Sequence, residues 1–80
     1  MDEEEALEVL AQAAGLERSE LDSTSSLLDL GLTSFRVMQA LTRIEEHFGV
    51  EFSDEEIVRF PVLAARALPR LICERVAARD

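Results

Sequence analysis

The stretch Leu27-Leu28-Asp29-Leu30-Gly31-Leu32-Thr33-Ser34-Phe35 places a serine hydroxyl at the head of an amphipathic run, directly after a loop that contains glycine. Beyond Ser34, the residues Val37, Met38, Leu41, Ile44 and Phe48 recur with the helical period, while Arg36, Gln39, Arg43, Glu46 and His47 fall on the other side. The spacing predicts a helix from Ser34 to about His47 or Phe48. Thr33 suits its N-cap, and Gly49 suits the left-handed residue that ends it. A serine at a helix start reads first as a cap, but Thr33 takes that role here and leaves the Ser34 hydroxyl over.

Working outward, Ala6, Leu7, Leu10, Ala13 and Ala14 repeat at helical spacing between Glu3 and Ala14. Acids fill the first turn, where the helix dipole favours them, and Gly15 follows as a stop. Between the two helices runs Leu16 to Thr33. Its Asp22-Ser23-Thr24-Ser25-Ser26 segment favours turns, because short polar side chains compete for backbone hydrogen bonds. The leucines Leu16, Leu21, Leu27, Leu28, Leu30 and Leu32 predict a loop pinned to the core. Downstream, Val50-Glu51-Phe52 reads as a short extended link, and Ser53-Asp54-Glu55-Glu56 is a capping box opening a brief third helix through Val58 or Phe60. Pro61 suits the first position of a last helix, whose apolar face is Leu63, Ala67, Leu68, Leu71, Ile72 and Val76. Pro69 falls inside that periodic run, where it deletes a backbone hydrogen bond, so a kink or break is expected there. No segment alternates as a strand does. The expectation is an all-α, single domain over residues 1–80, a four-helix bundle with three longer helices and one short third helix.

Eight Lys and Arg stand against 17 Asp and Glu, a net charge of −9. A surface of that sign repels nucleic-acid phosphates and anionic membranes, so basic protein partners are the better expectation. The apolar fraction of 48% and its periodicity set the chain apart from acidic disordered segments. The opening Met1-Asp2-Glu3-Glu4-Glu5 lacks the basic and apolar stretches of a secretory signal, and no later run reaches transmembrane length. A cytoplasmic location and a monomer are expected. The lone Cys73 fits a reducing compartment and reads as a core or boundary residue.

The central motif resembles the acyl, aminoacyl and peptidyl carrier family. Carriers of this family show an Asp-Leu-Gly run, then a serine, then an apolar-striped helix that ends in Glu-Glu-x-Phe-Gly. Asp29-Leu30-Gly31, Ser34 and Glu45-Glu46-His47-Phe48-Gly49 match in order and spacing, and Val50 to Glu56 is similar to the family's link into its short helix. Roughly residues 16–76 can be laid onto the pattern. The resemblance implies an acyl-carrier-like bundle in which Ser34 receives 4′-phosphopantetheine from coenzyme A. A separate phosphopantetheinyl transferase, using magnesium, performs that step, and the arm's thiol then holds cargo as a thioester for loading and downstream biosynthetic enzymes. Such a protein carries acyl groups in a fatty-acid-like, polyketide or other specialised pathway, or aminoacyl and peptidyl groups in a nonribosomal-type pathway.

Two positions depart from the family's wording: Thr33 stands where aspartate is usual, and Phe35 where leucine is usual. Losing that acid removes a charge beside the modified serine that partners read, and brings the motif closer to carriers of specialised or aminoacyl pathways. Leu32, Thr33 and Phe35, the arginines Arg36 and Arg43, and the acids Asp54, Glu55 and Glu56 are the expected partner surface. Charge pattern, rather than sign alone, would then give selectivity.

Other chemistries find little support. His47 falls on a solvated helix face, and no second catalytic group has a placement the sequence supports, so the chain is not expected to be an enzyme. Asp22 to Leu27 places leucine where a calcium loop needs glycine, no metal-ligand spacing appears, and Gly31-Leu32-Thr33-Ser34 lacks the flanking glycines of a hydrolase elbow. A helical interaction module without an arm is the alternative from a different class.

Overall fold

In the computed structural model, which describes residues 2–79, four α-helices follow in order: α1 (Glu3–Ala14), α2 (Ser34–Phe48), α3 (Asp54–Arg59) and α4 (Leu68–Ala78). Two short 3-10 turns, Arg18–Leu21 and Ala65–Ala67, interrupt the connections. No strand occurs among the described residues. The expected all-helical bundle with one short third helix is what the chain forms.

The helix ends follow local chemistry. Asp2 caps α1 by accepting from the Glu5 N–H, Thr33 caps α2 by accepting from the Arg36 N–H, and Ser53 with Glu56 forms the reciprocal box of α3. Gly15 and Gly49, at φ 71° and 67°, stop α1 and α2 in the left-handed conformation. Both stops are covered by an arginine from elsewhere in the chain. The Arg36 guanidinium lies over Gly15, where a Cβ would meet Nη2 at 3.4 Å, and Arg79 lies over Gly49 and donates to the Phe48 carbonyl. A cation there meets the negative end of each helix dipole, whose own last turn carries no arginine.

α1 packs against α2 and α4, and the core sits among the three. Leu10 from α1, Val37 and Ile44 from α2, Ile72 and Leu68 from α4, and Phe60 after α3 are fully enclosed. Each side chain of this size contributes about 1.5–3 kcal/mol when buried. The long loop is pinned by five of the six leucines expected to do so: Leu21 and Leu27 are buried, and Leu16, Leu30 and Leu32 pack against the core from its edge, whereas Leu28 is exposed. It is also tied to the segment before α4 by Ala65 N–H to Ser25 O at 2.8 Å and Arg66 N–H to Ser23 O at 3.1 Å.

Two expectations are corrected. The last helix does not begin at Pro61: residues 60–63 form a turn, and α4 starts at Leu68. Pro69 is therefore not a mid-helix kink but the second residue of α4, where a missing N–H leaves no acceptor stranded. Met38 is not part of the buried stripe of α2. Ala40 takes its place beside Val37, Leu41, Ile44 and Phe48, and Met38 is 44% exposed.

Candidate functional site

The segment before α2 is a built turn. Ser26 Oγ accepts from the Asp29 N–H at 3.1 Å while Asp29 Oδ2 accepts from the Ser26 N–H at 3.4 Å, a capping box that opens a single helical turn. Leu32 N–H then donates to Leu27 O, and Gly31 N–H to Leu28 O, both at 3.1 Å. These are the paired bonds of a Schellman stop, with Gly31 at its left-handed position, φ 105°. The Asp-Leu-Gly run is thus a start and a stop two residues apart. Its product is a chain reversed at Gly31 and delivered, with Leu32 tucked against the core, to Thr33 as the cap of α2. The Ser26–Asp29 box escaped the sequence reading, although serine followed three positions later by an acid was its signal.

Ser34 is the first residue of α2 and is exposed. Thr33 Oγ1 accepts from the Arg36 N–H at 3.1 Å, and Thr33 O accepts from the Val37 N–H at 3.0 Å. Among the described residues the Ser34 hydroxyl makes no hydrogen bond, and the backbone N–H groups of Ser34 and Phe35 are likewise unused. α1 and α3 each carry three acids in the first turn, but α2 carries none. The helix dipole at Ser34 is therefore met by no acid of its own first turn.

Of the expected partner surface, Leu32 to Phe35 are contiguous, and Phe35 stands out at 70% exposure. The groove on the outward face of α2 is lined by Phe35, Met38, Gln39, Thr42, Arg43 and Glu46. Arg36 leaves this face for Gly15, whereas Arg43 stays on it. Asp54 and Glu55 are exposed on α3. Glu56 differs from both, because its carboxylate turns inward to the Ser53 N–H and to Arg75. Burial alone would raise the Glu56 carboxyl, but the Ser53 N–H and Arg75 outweigh it and hold it below its ordinary value. Cys73 is half-buried on α4, and burial, with Glu3 adding to it, pushes its thiol up, away from the reactive thiolate. Among the described residues no group of three or more acids, histidines or cysteines is placed to hold a metal ion, and no helix is long and apolar enough to cross a membrane.

A phosphodiester fits this geometry. An exposed hydroxyl offers the ester oxygen, and two unused N–H groups at an acid-free helix start offer donors to the phosphate. The family described as the phosphopantetheine attachment site matches residues 4–67. The chain belongs to that family. Neither the curated proteins nor the solved structures give a significant match. Membership makes the protein a phosphopantetheine-bearing carrier, with 4′-phosphopantetheine bound covalently. Carrier domains of this family are not themselves catalytic, and membership implies dealings with a phosphopantetheinyl transferase and with biosynthetic enzymes. When bound, the group supplies a terminal thiol on a flexible arm.

Proposed function

We propose that Ser34 is the attachment residue, and that the protein is a single, monomeric, non-catalytic carrier domain. It holds acyl intermediates as thioesters and presents them to the enzymes of a fatty-acid-like, polyketide or other specialised pathway. The supporting observation is the exposed, unbonded hydroxyl of Ser34 at the head of α2. The chain has six serines, and the hydroxyls of Ser23, Ser26 and Ser53 are already engaged in turns and caps. Ser19 and Ser25 lie in the long loop, away from any α-helix start.

In the modification, Ser34 Oγ bonds to the phosphorus of coenzyme A's pyrophosphate, its proton passes to a base on the transferase, and the phosphorylated adenosine half leaves with the broken P–O bond. The carrier contributes position and the oxygen. A self-contained hydrolytic role for Ser34 is disfavoured by the placement of the lone histidine. His47 lies 13 residues further along α2, about 20 Å at 1.5 Å per residue, with its ring edge-on to Phe48 at 4.7 Å.

The test is intact mass spectrometry after incubation with coenzyme A and a broad-specificity transferase. The wild type gains one phosphopantetheine and Ser34→Ala gains none. A wild type left unmodified by several competent transferases would point to the armless interaction module, and an arm on Ser34→Ala would move the attachment elsewhere. The mass of the protein taken from its native host then distinguishes acyl from aminoacyl cargo.

A further inference from the structure

We infer that the carrier is chemically closed to its own cargo: an acyl thioester on the arm meets no side chain able to take the acyl group, because the cations around it are arginines and the other nucleophiles are engaged or distant. The inference rests on the thioester cargo and the attachment at Ser34 proposed above.

The hazard is intramolecular. Tethering at Ser34 holds the thioester carbonyl at an effective concentration on the order of millimolar towards any group the arm can reach. A lysine amine within reach adds to the carbonyl, the C–S bond breaks, the arm's thiol leaves with the amine's proton, and the cargo is stranded as an amide. About 0.4% of an ordinary lysine is unprotonated at pH 8, a share that rises roughly tenfold at pH 9.

Three observations close that route. First, the sequence contains no lysine, and its eight basic side chains other than His47 are all arginines. A guanidinium carries the charge without offering a nucleophile, because it keeps its proton throughout the range in which proteins work. The two on α2, Arg36 and Arg43, lie about 3 and 14 Å along the axis from Ser34 at 1.5 Å per residue. Arg36 can therefore cover Gly15 without bringing an amine beside the arm.

Second, the hydroxyls of this region are engaged. Thr33 Oγ1 accepts from the Arg36 N–H and Thr42 Oγ1 donates to the Met38 carbonyl, both at 3.1 Å, and neither is hydrogen-bonded to a base. The Ser34 oxygen is itself taken up by the phosphodiester. Third, Cys73 lies away from the arm. It faces the acids at the head of α1, whereas Arg36 lies over Gly15 at the other end, about 18 Å along the 12 residues of that helix. Burial first, and then Glu3, keep its thiol from the thiolate that a second thioester would need.

The test loads the wild type, Arg36→Lys, Arg43→Lys and Arg66→Lys from acetyl-coenzyme A with a broad-specificity transferase, which is then removed. Each protein is followed at pH 9 by mass, before and after hydroxylamine, which cleaves thioesters and leaves amides. The wild type should lose acetyl by hydrolysis alone, no more than about twice as fast as untethered acetyl-pantetheine. Arg36→Lys and Arg43→Lys keep the charge but should lose thioester several-fold faster and gain a hydroxylamine-resistant acetyl group on the new lysine, located by peptide mass. Arg66→Lys, beside Glu3 and Pro69, should gain less. Arg43 has no carboxylate within 4.0 Å among the described residues, so Arg43→Lys breaks no ion pair and decides the matter if Arg36→Lys unfolds. A resistant acetyl group on the wild type, acetyl on Cys73, or an Arg43→Lys as inert as the wild type overturns the inference. A wild type that no transferase modifies overturns instead the attachment at Ser34.

Discussion

Arg75 on α4 reaches Glu56 on α3 with Nη2 2.8 Å and Nε 3.0 Å from one carboxylate oxygen, Oε1, which also accepts the Ser53 N–H at 2.8 Å. One atom thus closes the capping box of α3 and ties α3 to α4. The tie matters because none of the residues Asp54 to Arg59 is fully buried. Arg75→Met is expected to lower stability by about 1 kcal/mol, discounted from the 1.5–3 kcal/mol of a charged hydrogen bond because both side chains keep some solvent contact. For a domain of this size that is a fall in Tm of about 4–8 °C, readable by thermal denaturation.

The same carboxylate sets a pH dependence. Its folded value lies below the ordinary 4.5, so its contribution is complete above that pH and is lost as pH falls through the lowered folded value. Below about pH 4.5 the Tm of the wild type should therefore fall more steeply than that of Glu56→Gln, and the two slopes should match at neutral pH. Parallel curves throughout the acid range would remove Glu56 from the account.

Thr33 separates capping from charge. Thr33→Ala leaves the Arg36 N–H without its side-chain acceptor and should cost about 1 kcal/mol. Thr33→Asp keeps an acceptor and adds an anion to a helix start that has none, so its stability should equal or exceed that of the wild type. Urea denaturation of the two variants checks the order. If both lose stability equally, Thr33 is held by something other than its cap.

Gly31 has nothing within 4 Å of where a Cβ would stand, yet its φ of 105° is closed to other residues. Gly31→Ala should thus destabilise by about 1–3 kcal/mol through backbone strain alone, with no steric clash to relieve. Because this turn delivers Thr33 and Ser34, arm transfer measured by mass should slow as well. A variant with wild-type Tm would show that the turn has another conformation open to it.

Much of this arrangement was legible because its determinants are local. The glycine stops, the Thr33 cap and the Ser53–Glu56 box lie within four residues of what they terminate, and the position of Ser34 follows from them. What escaped depends on residues distant in sequence. Met38 falls within the helical period of the buried stripe, but the fold buries α2 on the side of Ala40, and the period does not say which edge of a broad stripe is covered. Glu56 was expected to close the box of α3 and to face partners, but its ion pair with Arg75 was not visible, because Arg75 is 19 residues away. That Arg36 reaches Gly15, just past the end of α1, was likewise invisible in the local pattern.

Pro69 shows the limit most plainly, and it yields the last test. Periodicity alone joined residues 61–76 into one helix and so put a proline in its interior. The turn at 60–63 and the backbone bonds from Ala65 and Arg66 to the long loop instead hold that segment out of the helix until Leu68. The two placements predict opposite signs. A proline in a helix interior costs about 3 kcal/mol, so replacing it with alanine would stabilise the protein. In the first turn of α4, where Pro69 is buried and its missing N–H leaves no acceptor unsatisfied, Pro69→Ala removes packing and loosens the unfolded chain. It should therefore destabilise by about 0.5–1 kcal/mol. A rise in Tm for Pro69→Ala would restore the longer, kinked helix.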